Sequence, residues 1–187
     1  AGGTGTVEPT VRTNFADTAF WSAAIVTNQK GEAEVEWTMP ENLSSWKLRT
    51  WALGKGTRVG ENTTELVTTK NLLLRLQAPR FFVETDEVVL SANVHNYLKT
   101  AKSVKVLLEV NDCLVPLDAA EKTVRIDATG EQRVDWRVRV AHEGTATVRM
   151  KALTNEESDA MEMKFPAKVH GIPKTVSFSG QIRPDGK

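Results

Sequence analysis

Three histidines and a single cysteine are the side chains best suited to metal or nucleophilic chemistry, and their spacing argues for neither. His95, His142 and His170 stand far apart, with no ligand-type residue two or four positions away. Zinc needs three or four converging ligands, usually with some close in sequence. Cys113 lies between Asn111-Asp112 and Leu114-Val115-Pro116, with no adjacent histidine or cation to favour a thiolate. It reads as a buried or loop thiol. Asp86-Glu87 and Glu156-Glu157 are loop acids in polar surroundings. Asp112, Asp118 and Glu121 could approach a cation across a turn, but they lack the Asp-x-Asp-x-Asp-Gly spacing that wraps calcium. The run GKGTRVG at 54–60 sets a lysine among glycines without P-loop spacing or a following helix, so it reads as a hairpin loop. No serine sits in a nucleophile elbow. The expectation is no enzyme, no metal and no cofactor.

Composition narrows the partners. Twenty-four basic side chains balance 24 acidic ones over 187 residues, so the basic surplus that would attract nucleic acid is missing. Arg133, Arg137 and Arg139 share one side of an expected strand, which reads as a solvated sheet face. No run approaches the ~20 apolar residues of a membrane helix. AGGTGTVEPT lacks the charged and apolar regions of a signal peptide. With one cysteine, no disulfide within the chain is expected.

Strands must carry whatever this chain does. Residues 14–53 hold four of the five tryptophans and show two alternating stretches. In the first, Ala33, Val35, Trp37 and Met39 oppose Glu32, Glu34, Glu36 and Thr38; in the second, Trp46, Leu48, Thr50 and Ala52 oppose Lys47, Arg49 and Trp51. Period two marks half-buried strands. Pro40-Glu41-Asn42 between them predicts a hairpin, with a polar turn at Asn28–Gly31 and a third strand around Glu65–Thr68. From Lys70 seven more strands are expected, centred on Leu72–Leu76, Val88–Val94, Val104–Val110, Val124–Ile126, Val134–Val140, Ala146–Ala152 and Met161–Phe165. The loop Asn155–Asp159 precedes the last. Each strand has one apolar and one polar face, as antiparallel sheets packed face to face require. The fold class is therefore all-β, an immunoglobulin- or fibronectin-like antiparallel β-sandwich over 70–168 with Trp136 in its core. A partial β unit precedes it at 11–69, a flexible leader occupies 1–10, and 169–187 is a linker with the start of a further strand.

Specific residues carry a resemblance. Asn14-Phe15-Ala16-Asp17-Thr18 through Trp21, the turn at Gly31, and Pro40-Glu41-Asn42-Leu43-Ser44-Ser45-Trp46 resemble the signature of the α2-macroglobulin family. Asn28 stands where an aspartate is usual, and Glu41 replaces the aspartate after Pro40. Further on, Leu76–Phe82 with Pro79, Asp86-Glu87-Val88, and Asn93–Tyr97 with Asn96 and Tyr97 resemble the opening of that family's next macroglobulin-like domain. The resemblance implies that 1–10 is the end of the protease-cleaved bait region. It makes 11–69 the C-terminal part of one macroglobulin-like domain and 70–168 a complete second one. The named signature residues are expected to be structural.

The family's thioester forms within Cys-x-Glu-Gln. Glu131-Gln132 follows Gly130 with no cysteine in place, so no thioester is expected in this chain and Cys113 is not its cysteine. What the resemblance implies is a scaffold fragment of a broad-spectrum protease-trapping inhibitor, transmitting rearrangement after bait cleavage. Proteases would be met through the full-length parent, extracellular or periplasmic, with neighbouring macroglobulin, CUB-type and thioester domains. The missing disulfides and the FFVETDEV wording favour a bacterial source. Phe15, Trp21, Trp37, Trp46 and Trp51 are expected as buried anchors, each contributing ~3 kcal/mol or more. A face left open by the incomplete first unit would be covered by a second copy, giving a homodimer, or by the second sandwich. The alternative function is a binding or adhesion module recognising carbohydrate or protein through exposed aromatics.

Overall fold

A computed structural model describes residues 5–171 and 174–181. The leader's Ala1–Thr4, Ile172-Pro173 of the expected linker and the tail at 182–187 lie outside the described residues. No helix occurs among those described. The strands are β1 (Val11–Arg12), β2 (Ser45–Gly54), β3 (Arg58–Val67), β4 (Leu72–Gln77), β5 (Phe82–Val83), β6 (Glu87–Asn96), β7 (Lys102–Val110), β8 (Leu114–Pro116), β9 (Glu121–Ile126), β10 (Glu131–Val140), β11 (Gly144–Leu153) and β12 (Ser158–Lys168). All seven strands expected after Lys70 form, as β4, β6, β7, β9, β10, β11 and β12. The short strands β1, β5 and β8 had no legible pattern.

Two sheets make the sandwich. One runs β1-β12-β11-β7-β9, with β5 also on β12; the other runs β4-β6-β10-β8. Period-two patterning drives their packing. Leu90, Ala92 and Val94 of β6 and Val134, Trp136, Val138 and Val140 of β10 point inward. They meet Val104, Val106 and Leu108 of β7 and Ala146, Val148, Met150 and Ala152 of β11. Trp136 is fully buried, and its indole N–H donates to the Ala119 carbonyl at 3.0 Å, satisfying the one polar group it brings inside.

The N-terminal stretch departs from its expected layout. Residues 32–39 form no strand, although Val35, Trp37 and Met39 are half-buried and Glu34, Glu36 and Thr38 exposed. The hairpin is instead β2 with β3, in register from Ser45↔Val67 to Gly54↔Arg58. Its turn holds Gly56 at φ 72° and Thr57 at φ 62°, so GKGTRVG is a hairpin loop. A three-residue link delivers β3 straight to β2, and no described strand then remains to pair with 32–39. Nor are the aromatics all anchors: Trp21 is 73% exposed and Trp51 60% exposed, while Phe15, Trp37 and Trp46 are half-buried. The ~3 kcal/mol of a buried aromatic does not apply to the two exposed indoles. The hairpin also does not lie on the second sandwich, since every residue of β2 and β3 except Trp46 is exposed.

Candidate functional site

The loop expected at Asn155–Asp159 ends two residues early, and β12 opens with Ser158 and a fully buried Asp159. Two cations meet that carboxylate. Arg12 grips it with two bonds, Nε to Oδ1 at 2.9 Å and Nη2 to Oδ2 at 2.7 Å, while Lys70 Nζ reaches Oδ1 at 3.1 Å. Their neighbour β4 is an edge strand of its sheet. The Leu74 N–H donates to Asp159 Oδ2 at 2.8 Å, and the Leu74 carbonyl accepts from Arg12 Nη2 at 2.8 Å. Side chains thus supply the bonds that an adjoining strand would otherwise make. Arg12 is placed for this by β1, which runs parallel to β12 with Val11↔Ala160 and Arg12↔Met161. Upstream, the Val7 N–H donates to the Thr154 carbonyl at 3.1 Å, so the leader is tied at that point.

The signature residues gather partly around this clasp. Arg12 Nη1 also donates to the Glu41 carbonyl at 3.2 Å, and its guanidinium lies 5.7 Å from the Phe15 ring centre. The Glu41 carboxylate accepts the N–H groups of Thr13 at 2.6 Å and Asn14 at 2.7 Å. In return Glu41 donates its own N–H to the Asn14 carbonyl at 2.8 Å. The Asn42 side chain accepts from the Ala16 N–H, and the Thr68 hydroxyl donates to the Asn42 carbonyl while receiving the Trp46 indole N–H at 3.1 Å. Asn14, Phe15, buried Pro40 and Trp46 are therefore drawn together. Exposed Thr18 and Trp21, and Gly31 in the turn at Asn28–Glu32 with φ 82°, lie apart from the clasp. Asn96 is buried at the end of β6, where its amide donates to the carbonyls of Thr100, Ile126 and Asp127 and fixes two loops. Tyr97 stacks on His95 with ring centres 5.9 Å apart, and Pro79 is exposed.

The Glu41 carboxyl is held below its ordinary value of 4.5, first by the Asn14 N–H, then by that of Thr13, with the charge of Arg12 adding to both. A carboxyl lowered on folding contributes stability that is present above the ordinary value and lost as pH falls through the folded one. Glu41→Gln is therefore expected to lower the urea midpoint at neutral pH and to flatten its decline in acid. Parallel acid limbs in the two proteins would contradict that role.

A second cluster joins residues that sequence spacing had separated. The turn Asn111–Leu114 and the β10–β11 connection lie side by side, and Cys113 Sγ is 3.8 Å from His142 Nδ1. His142 Nε2 in turn is 3.6 Å from Asp112 Oδ2. The expectation that Cys113 has no neighbouring histidine is thereby corrected: the two are 29 positions apart and meet because β8 pairs with β10. The His142 imidazole is pushed above its ordinary value, first by the hydrogen bond to the Glu143 carbonyl and then by Asp112.

The family model described as the alpha-2-macroglobulin family matches residues 18–108, which run from within the signature into β7. A curated relative, alpha-2-macroglobulin of Thermotoga maritima, is 26% identical over 161 residues, covering 84% of this chain and 10% of the relative. An alpha-2-macroglobulin homolog of a Nostoc species is 22% identical over 180 residues, covering 95% of this chain and 9% of its own length. Among solved structures, trypsin-activated alpha-2-macroglobulin from Escherichia coli superposes with a TM-score of 0.68 at 14% identity, over 78% of this chain and 10% of that one. Over just under half of its length the chain matches the alpha-2-macroglobulin family model, and it is similar to bacterial members of that family. It spans about a tenth of the length of those curated relatives. The Escherichia coli protein activated by porcine elastase gives a TM-score of 0.67 at 13% identity, over 84% of this chain, which shows the shared β-sandwich fold.

In this chain, similar to the alpha-2-macroglobulins, the clasp residues Arg12, Lys70 and Asp159 were missed from sequence. An acid after Glu156-Glu157 looks like one more loop carboxylate, and only the start of β12 turns it inward. The sole available signal was Val11-Arg12, a branched apolar residue and a cation just ahead of the signature.

Proposed function

We propose that this chain is a scaffold segment of a protease-trapping protein, with a mechanical rather than a catalytic role. The clasp supports this reading most directly. Arg12 lies two residues before the signature and two after the stretch that the resemblance makes the end of the bait region. Its guanidinium is bonded to β12 through Asp159, to β4 through Leu74 and to the signature through Glu41. A cut upstream that released tension on residues 5–10 would act on β1, and through Arg12 on both sheets of the sandwich and on the Asn14–Glu41 contacts together. The family's solved relatives include forms activated by trypsin and by elastase, and one reacted with methylamine. The reading places 11–69 as the end of one macroglobulin-like domain and 70–168 as the next, in an extracellular or periplasmic parent that presents proteases with a bait segment. Its CUB-type and thioester domains would lie beyond this chain.

A binding face built from aromatics is less favoured, because of the four tryptophans in this stretch only Trp21 and Trp51 are exposed, while Trp37 packs on Phe20 at 5.2 Å and Trp46 is half-buried. The test uses the intact parent protein mixed with trypsin. Trapping predicts that cleavage of a large protein substrate falls at a one-to-one ratio while cleavage of a small peptide substrate persists. Unchanged cleavage of the large substrate would refute the role. The isolated chain is expected neither to inhibit the protease nor to take up methylamine.

A further inference from the structure

We infer that Asp112, Cys113 and His142 form a binding site for a borderline divalent cation of the zinc class. Among the described residues, this is the one grouping in which three metal-ligating side chains converge, with a sulfur, an imidazole nitrogen and a carboxylate oxygen all within 4.8 Å of one another. Ligand atoms at zinc bond lengths stand ~3.3–3.8 Å apart at tetrahedral corners. Cys113 Sγ is 3.8 Å from His142 Nδ1, which also bonds the Glu143 carbonyl, while Asp112 Oδ2 is 3.6 Å from Nε2 on the other side of the ring; rotation of the exposed Asp112 and His142 side chains is needed to bring one ring nitrogen to both. A thiolate with an imidazole selects zinc or cobalt over magnesium and calcium, which prefer an all-oxygen shell.

The backbone holds the two turns in place. The Ala141 N–H donates to the Cys113 carbonyl at 2.8 Å, and Val140 pairs with Leu114. Asn111 ties the same turn to β11, its amide donating to the Thr145 carbonyl at 2.8 Å and its oxygen accepting the Thr147 N–H at 2.9 Å. Gly144 leaves room for the sulfur: a Cβ there would come within 3.2 Å of Sγ, at a φ of 141° that side-chain-bearing residues rarely adopt. A rigid sulfur with two movable ligands above it suits a cation arriving from solvent. In the bare protein the Cys113 thiol donates to the Thr145 carbonyl at 3.5 Å; on binding, its proton leaves to solvent and the sulfur bonds the metal. Three protein ligands leave a fourth position for water or another donor.

The site is independent of the trapping role, and its test is direct. The reduced 187-residue chain is titrated with cobalt(II), reading the near-ultraviolet sulfur-to-cobalt band. One cobalt per chain is expected, displaced by one equivalent of zinc and not by magnesium. His142→Ala, an exposed position whose loss spares the fold, should weaken cobalt binding about a hundredfold or more, and Asp112→Asn about tenfold, since even outer-shell changes cost ~10–100-fold. Cys113→Ser should abolish the band, with the near-ultraviolet dichroism of Trp136 reporting that the fold is kept. Absence of the band at a one-to-one ratio, displacement by magnesium, or unchanged affinity in His142→Ala would each overturn the site.

Discussion

Replacing Asp159 with alanine is expected to destabilise the chain by ~3–5 kcal/mol, the usual loss when one partner is removed from a buried ion pair. Three losses coincide. Arg12 keeps a buried guanidinium whose remaining bonds go to the carbonyls of Glu41 and Leu74, with the Glu41 carboxylate feeling its charge but not hydrogen-bonded to it. Lys70 retains only the Ser158 carbonyl at 3.0 Å. The Leu74 N–H on the edge of β4 loses its acceptor, and an orphaned buried donor costs ~1–3 kcal/mol on its own. Asp159→Asn should fall between the wild type and alanine, because its oxygen can still accept from Leu74 while the charge is gone. Urea unfolding followed by Trp136 fluorescence gives the comparison by linear extrapolation. A loss below ~1 kcal/mol for alanine would mean that the clasp behaves like an exposed ion pair, and would remove the mechanical link proposed between the leader and the sandwich.

Legibility followed burial. From Lys70 onward each strand puts one face into a common core, so Val134, Trp136, Val138 and Val140 alternate with Arg133, Asp135, Arg137 and Arg139, and the pattern alone identifies β10. Where no such core exists, alternation misled. Residues 32–39 alternate as cleanly as β2 yet form no ladder, because a strand is defined by a neighbour and the sequence does not name one. The wet face of β4 shows the same limit from the other side: Leu73 should face solvent but is buried, with Phe15 and Leu43 of the preceding segment beside the same groove. The two side-chain clusters were invisible for a related reason. Arg12 meets Asp159 across 147 positions and Cys113 meets His142 across 29, and each depends on a pairing, β1 with β12 and β8 with β10, contributed by strands of two or three residues. Strands that short carry no periodicity to read.

The isolated chain is expected to self-associate through the β2–β3 hairpin. A two-stranded sheet is marginal in water without a covered face. Both of its outer edges are unpaired among the described residues, and its faces are open. Toward the tip, Trp51, Leu53 and Val59 share one face, with Leu53 86% and Val59 76% exposed; Leu48 and Leu66 lie on the other. Lys47 opposite Glu65 is the one ion pair on the hairpin, at 3.8 Å between exposed groups, too weak to close it. Edge-to-edge or face-to-face pairing with a second copy supplies both missing bonds and cover. In a longer parent the same surface is where the proposed preceding strands of the first macroglobulin-like unit would pack. Light scattering after size exclusion should show a dimer that dissociates on dilution. Leu53↔Val59 is a cross-strand pair, so L53K with V59E replaces the apolar tip with opposite charges while keeping the hairpin register. Each side chain removed from the contact forfeits ~1.5–3 kcal/mol of apolar burial at most, so even half-cover makes the dimer about tenfold weaker or more. A chain that stays monomeric at every concentration, or a double variant that dimerises as before, would place the association surface elsewhere or nowhere.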